Sequence, residues 1–278
     1  MLYPFPIPNA VPLRRVFHMP LRRQQSSSKS WLQRHVNDKY VKQAVQQDLR
    51  SRGAFKLLQI QGMERMITPN AIVVDLGSAP GGWSIAARRI MDAGTKPSSA
   101  LPEKDEAGAA RTEPKVDAGG GHHSGTIVAV DILPMEAITG VTFLQGDFTS
   151  ADVQDKIRAV VNQAATSTCR SSSGNRRPLV LLSDMLHNTT GQGDLDHLRS
   201  MDLLRSVLDF VPALLSAAPS SGTSRPVTLL AKYYRGRDEK EVVDEFRDVF
   251  AVVKLIKPEA SRKGSREMYV YSSQYRGK

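Results

Sequence analysis

Apolar positions along the chain change their period repeatedly, and each change marks an element. Val41, Val45 and Leu49, then Phe55, Leu57, Leu58 and Ile60, give helical spacing over residues 38–66, with Gly53 separating two helices. Ile72-Val73-Val74 predicts a strand ending in Asp75-Leu76-Gly77, and a helix follows from Trp83 to Met91. Strands come next at Ile127–Val130, ending at Asp131, and at Val141–Leu144, ending near Asp147. A helix is expected over 151–164. Leu179-Val180-Leu181-Leu182 is unbroken by polar residues, as in a strand covered on both faces, and leads to Asp184. Leu195, Leu198, Leu203, Leu204, Val207, Leu208 and Val211 mark a helix over 195–215 behind the cap Asp194. Val227–Ala231 predicts a strand ending at Lys232. Val242, Val243, Phe246 and Phe250 share one side of a helix over 238–250. Val252–Ile256 and Met268–Tyr271 predict two closing strands.

Strands alternating with helices define an α/β fold: a Rossmann-like, mainly parallel sheet of seven strands with helices on both faces. The loop between the last two strands is too short for a helical crossover, so one of them is expected to run antiparallel. Two polar stretches, near 94–125 and 165–177, lack large apolar residues and are expected to be disordered insertions in a single domain spanning 38–278.

Composition changes this picture little. The chain has 278 residues with 40% hydrophobic residues, enough for a sizeable core. Its 38 basic and 28 acidic residues give a net charge of +10, which suits a polyanionic partner such as nucleic acid. Part of the excess lies in residues 1–37, which hold Arg14, Arg15, Arg22, Arg23, Lys29 and Arg34 and no acid. That bias, with Ser26, Ser27 and Ser28, has the marks of a mitochondrial transit peptide, the alternative being a basic tail that touches RNA. The single cysteine, Cys169, excludes an internal disulfide and a Cys-based metal site, and the six histidines show no metal-ligand spacing. No metal is expected. No run reaches the roughly 20 apolar residues that cross a bilayer, so no membrane partner is expected.

Candidate chemistry collects at the predicted strand ends. Ligands of open α/β sheets bind beyond the carboxyl ends of the strands, and Asp75, Asp131, Asp184 and Lys232 all stand there, with Asp147 after a fifth strand. The turn Asp75-Leu76-Gly77-Ser78-Ala79-Pro80-Gly81-Gly82-Trp83 offers glycines for close approach to a ligand. It is not the dinucleotide fingerprint, because Asp75 takes the first glycine position and Pro80 interrupts the series. Asp131 lies 56 residues beyond Asp75, or 24 once the 32-residue stretch 94–125 is set aside, which suits a ribose diol. Asp147 stands where an adenine amino group could be reached.

Over residues 30–272 these segments resemble the FtsJ-like ribosomal RNA 2′-O-methyltransferases. The turn from Asp75 to Ser84 is similar to that family's cofactor motif, and Ser51–Leu57 to its N-terminal helix motif. Val130–Met135, Leu144–Phe148, Ser183-Asp184-Met185 with Asn188 and Gly191, and Lys257-Pro258, Ser261-Arg262, Ser265 and Glu267 resemble its later signatures. Leu186-His187 and Tyr233-Tyr234-Arg235 depart from the usual pattern beside the site. Trp31-Leu32-Gln33-Arg34 most resembles the mitochondrial large-subunit branch.

The resemblance implies a class I fold that uses S-adenosylmethionine, and a Lys-Asp-Lys-Glu tetrad at Lys56, Asp184, Lys232 and Glu267. It implies cofactor contacts from Asp75, Gly77, Pro80, Gly81, Gly82, Trp83, Asp131, Asp147, Phe148 and Asp184. Lys232 is expected to act as base on a ribose hydroxyl, with Asp184 orienting it and Lys56 and Glu267 holding the hydroxyl. RNA phosphates are expected at Arg34, Lys39, Lys42, Arg50, Arg52, Arg235, Arg237, Arg262, Lys263 and Arg266, and Tyr233 and Tyr234 are candidates to stack on a base. The implied partner is ribosomal RNA within a large-subunit assembly intermediate, in the mitochondrial matrix. The competing readings are an assembly factor whose catalysis is dispensable, and an enzyme acting on tRNA or an mRNA cap.

Overall fold

A computed structural model describes residues 38–94, 125–166, 176–215 and 226–277. The expected transit segment 1–37, with Arg34, and the bulk of both expected insertions lie outside the described residues. Helices α1 (Lys39–Gln46) and α2 (Ala54–Glu64) precede strand β1 (Ile72–Leu76). Then follow α3 (Gly82–Ala93), β2 (Thr126–Asp131), β3 (Val141–Gln145), α4 (Ala151–Thr166), β4 (Leu179–Ser183) and α5 (Gly193–Leu215). The chain closes with β5 (Val227–Tyr234), α6 (Glu239–Val249), β6 (Phe250–Ile256) and β7 (Glu267–Tyr275).

The strands form one seven-stranded sheet in the order β3-β2-β1-β4-β5-β7-β6. β1, β2, β3, β4 and β5 pair in parallel, and β7 runs antiparallel to both β5 and β6. The sequence order runs outward from β1 in one direction to β3 and in the other from β4, so the switch point lies between β1 and β4. A crevice opens there beyond the strands' carboxyl ends.

Side chains alternate across the strands, and both faces are covered. Ile72, Val74, Leu181 and Leu229 pack with Ile157 and Val161 of α4, Leu204, Val207 and Phe210 of α5, and Phe246 of α6. Val73, Val180, Leu182 and Leu230 pack with Leu57 and Ile60 of α2 and Ala86, Ala87 and Met91 of α3. The middle strands β1 and β4 are buried at every position, which is why Leu179–Leu182 reads as an unbroken apolar run, while β1 carries the buried Asp75 within its apolar stretch.

Several boundaries differ from the sequence expectation. Asp194 is not the cap of α5 but sits in its first turn, while Asp196 accepts the Thr190 amide at 2.7 Å. β5 continues three residues past Ala231, so Lys232 lies within the strand and not at its end. β7 runs on to Tyr275, its outer half hidden from periodicity by Ser272 and Ser273. Arg177, expected in a disordered insertion, is built into the edge opposite the crevice. Its guanidinium donates to Asn70 O at 2.8 Å, Ala164 O at 2.7 Å and Thr126 Oγ1 at 3.1 Å.

Candidate active site

The topology explains how residues distant in sequence meet. Strand β7 enters from the opposite direction, so its first residues lie at the carboxyl edge of β5. Tyr269 stands opposite Lys232, and Glu267 opposite Tyr234. Glu267 and Tyr269 lie two residues apart and share a face. Helix α2 brings Lys56 to the same face, where its ammonium lies 2.5 Å from Glu267 Oε1. Lys232 Nζ lies 2.9 Å from Asp184 Oδ1 and also donates to the Asp184 carbonyl. The four tetrad candidates thus form two ion pairs.

Tyr269 joins these pairs, and no sequence signal marked it. Its hydroxyl lies 2.8 Å from Asp184 Oδ1 and 3.2 Å from Glu267 Oε1. Its ring stacks on Trp83 at 5.7 Å between centroids, and the Lys56 ammonium sits 5.8 Å over it. In β7 it counts as one more aromatic of a buried strand; only the register against Lys232 reveals its place. Burial, then the Asp184 and Glu267 charges, push its phenol well above the ordinary value. The Glu267 carboxyl is held below its ordinary value. Burial works the other way, but the Lys56 charge and hydrogen bond, the Lys232 charge and the Ser261 hydroxyl outweigh it.

Beside the tetrad lie two cavities that share Gly77, Ala79 and Asp184. The smaller, of about 250 Å³, is lined by Ser51, Arg52, Gly53, Lys56, Pro80, Gly82 and Trp83 as well. The larger, of about 790 Å³, runs past Asp131, Ile132, Asp147, Phe148, Met185 and His187 to Arg199 and Ser206 on α5. Gly77 and Gly81 take φ of 71° and 107°, which favour glycine, and a Cβ at Gly77 would meet the Met185 side chain at 2.0 Å. Trp83 fixes the turn against the start of α2, its indole donating to Gly53 O at 2.9 Å.

The acidic residues divide into supports and lining. Asp131 holds the turn and its own strand end, accepting the Ala79 and Leu133 amides at 2.8 Å each. Each carboxylate oxygen has a second lone pair, so the exposed side of Asp131 can still accept hydroxyls. Asp147 Oδ1 accepts the Thr149 amide and hydroxyl, bonds that do not use Oδ2, and the residue lines the larger cavity. Asp75 is a correction. It is fully buried, lines neither cavity, and accepts the Ser84 hydroxyl at 2.6 Å. It supports the turn from beneath instead of touching a ligand. Burial raises its carboxyl to about 7, against the Ser84 bond and with help from the Asp184 and Asp131 charges. Gly81 also lines neither cavity; it opens α3 as its N-cap.

The expected RNA-binding cations separate into two groups. Arg50 points inward, donating to Glu136 O at 2.8 Å, Ala137 O at 3.1 Å and Pro80 O at 3.2 Å. It ties the β2–β3 loop to the glycine turn, which corrects its assignment as a phosphate contact. Arg52 is partly buried, donates to Ala260 O and lines the smaller cavity, so it stands at the site's mouth. Lys39 lies over the Tyr40 ring at 4.8 Å, and Arg262 is exposed. Arg235 pairs with Glu239 at 3.2 Å, and Arg266 donates to Arg235 O at 2.9 Å. Tyr233 is fully buried in the core, and its hydroxyl donates to Glu239 at 3.0 Å, so it is no stacking platform. Tyr234 is partly buried beside Lys232.

A mainly parallel seven-stranded sheet with β7 reversed, and acids around a glycine turn at the switch point, define a class I S-adenosylmethionine-dependent methyltransferase. The chain belongs to the FtsJ-like methyltransferase family, whose pattern matches residues 49–275. It is 36% identical over 253 residues to the ribosomal RNA large subunit methyltransferase E of Marinobacter nauticus, covering 91% of this chain and 98% of that protein. The protein of the same description from Neisseria gonorrhoeae is 34% identical over 248 residues, covering 89% and 96%. Among solved structures, a ribosomal RNA methyltransferase from Plasmodium falciparum shares the fold, with a TM-score of 0.58 and 20% identity over 82% of this chain and all of that one. Family membership implies S-adenosylmethionine as methyl donor. The donor set fits it: carboxylates for a diol and an exocyclic amine, an aromatic wall at Phe148, and Asp184 for a positive centre.

Proposed function

We propose that this protein methylates a ribose 2′-hydroxyl of ribosomal RNA. The observation that carries this reading is the pair of ion pairs, Lys56–Glu267 and Lys232–Asp184, bridged by Tyr269 beside the cavity at the glycine turn. A base-modifying enzyme needs a pocket that grips a flipped base. A cluster of two lysines and two carboxylates instead suits a hydroxyl that must be held and deprotonated.

S-adenosylmethionine, when bound, supplies an electrophilic methyl on sulfur. Asp131, Asp147 and Phe148 would hold its nucleoside, and Asp184 with the Gly77–Gly82 turn its charged end. The protein's own work is then positioning and proton handling. Lys56, Ser261 and Tyr269 all fall on Glu267 Oε1, which leaves Oε2 to accept from the incoming hydroxyl. Lys232, in its neutral form, takes the hydroxyl proton as the oxygen attacks, and Asp184 receives the resulting ammonium. General-base assistance of this kind is worth about 10²–10⁴ in rate.

The names of the relatives support large-subunit rRNA as the substrate, and the acid-free, Arg-rich residues 1–37 support the mitochondrial matrix as its location. Single-turnover methylation of large-subunit rRNA, with ribose methyls mapped, tests the reading. Lys232→Ala is expected to lose methylation while retaining S-adenosylhomocysteine binding. A product methylated on a base, or an unimpaired Lys232→Ala, overturns it.

A further inference from the structure

The loop between β6 and β7 is gripped from the start of the domain. Gln59 Oε1, on α2, accepts the Ala260 amide at 2.8 Å, and the Arg52 guanidinium donates to the Ala260 carbonyl. Both polar groups of one buried residue are therefore satisfied by side chains some 200 positions earlier, as a buried peptide requires. Gln59 Nε2 donates to the Tyr40 hydroxyl at 3.3 Å, and the Arg52 guanidinium lies 5.8 Å over the Tyr40 ring. Helix α1 thus braces both halves of the grip.

The next residue carries the consequence. Ser261 is buried, its amide donates to Pro258 O at 2.9 Å, and its hydroxyl donates to Glu267 Oε1 at 2.9 Å. Gln59 also lies three residues beyond Lys56 on α2, so the two side chains leave the same helix face. That face reaches Glu267 twice: directly through Lys56 at 2.5 Å, and again through Gln59, Ala260 and Ser261.

We propose that Gln59 is a positioning residue for methyl transfer. By holding the Ala260 amide it fixes where Ser261 delivers its hydrogen bond, and so where the Glu267 carboxylate stands between Lys56 and the reacting hydroxyl. The inference rests on the tetrad reading given under Proposed function. It asks for no contact between Gln59 and substrate. A displacement of about 1 Å at a reacting group can cost on the order of a hundredfold in rate.

The test compares single-turnover rates at saturating RNA and S-adenosylmethionine. The variants are Gln59→Leu, Gln59→Glu, Ser261→Ala, Glu267→Ala and the double variant Gln59→Leu with Glu267→Ala. Gln59→Leu is expected to slow the rate by roughly tenfold, with calorimetric affinity for S-adenosylhomocysteine unchanged. Gln59→Glu keeps the acceptor oxygen and is expected to recover most of the loss, while Ser261→Ala reproduces it by cutting the other link. In the Glu267→Ala background the Gln59→Leu substitution should add less than about a twofold effect, because the group it acts through is gone. A wild-type rate in both Gln59→Leu and Ser261→Ala overturns the proposal, as does a loss of equal size in the Glu267→Ala background. Either result, with Glu267→Ala itself impaired, leaves the tetrad standing; an unimpaired Glu267→Ala removes both.

Discussion

The hydroxyl of Tyr269 lies 2.8 Å from Asp184 Oδ1, the same oxygen that lies 2.9 Å from the Lys232 ammonium. Asp184 therefore feels β5 and β7 at a single atom. Removing the hydroxyl in Tyr269→Phe keeps the ring on Trp83 and deletes one bond to a charged acceptor, worth about 1.5–3 kcal/mol. Only the share realised in the transition state slows the reaction, so a drop of roughly tenfold in single-turnover rate is expected. Equal S-adenosylhomocysteine affinity in variant and parent would show that the effect is on the chemical step.

Asp75 makes stability depend on pH. Its folded carboxyl is raised to about 7, above the unfolded value, so its contribution is full at low pH and is lost as pH rises through about 7. Asp75→Asn cannot ionise and escapes that loss. Melting temperatures measured from about pH 5 to pH 8 should show the variant gaining on the parent as pH rises, with the gap levelling off above the upper value. A constant gap would mean that Asp75 does not titrate in this range.

Arg50 is expected to act on the cofactor end of the site. In Arg50→Ala the Glu136, Ala137 and Pro80 carbonyls lose a shared donor, and the β2–β3 loop is released from the glycine turn. Calorimetry should show S-adenosylhomocysteine binding weakened by about tenfold, and filter binding should show RNA affinity changed much less.

Arg177→Ala should cost stability without touching the chemistry. It strips a donor from Asn70 O and Ala164 O at the edge opposite the crevice. A loss of about 2 kcal/mol or more, seen as a fall of several degrees in Tm, is expected, with the rate per folded molecule unchanged.

What could be read from the sequence follows from which signals are local. The middle strands β1 and β4 were legible because burial on both faces leaves the apolar runs Ile72–Val74 and Leu179–Leu182, and Asp184 was found because it closes the second of them. Lys232 was found for a different reason: hydrophobicity stops at Ala231, although the backbone pairing of β5 does not. Tyr269 and Gln59 were missed because their roles depend on registers between distant segments. In their own elements they are a buried aromatic and a polar helix position. Arg50 shows the reverse error. A guanidinium in a basic stretch reads as a phosphate contact, whereas its fork of donors is equally suited to tying down carbonyls.

The reversal of β7 has a temporal corollary. Since Glu267 and Tyr269 stand on β7 and meet Lys56 of α2, which precedes β1, a nascent polypeptide carries Asp131, Asp147 and Asp184 well before it holds Glu267 and Tyr269. The carboxylate that pairs with Lys56 is thus supplied after every residue that lines the two cavities.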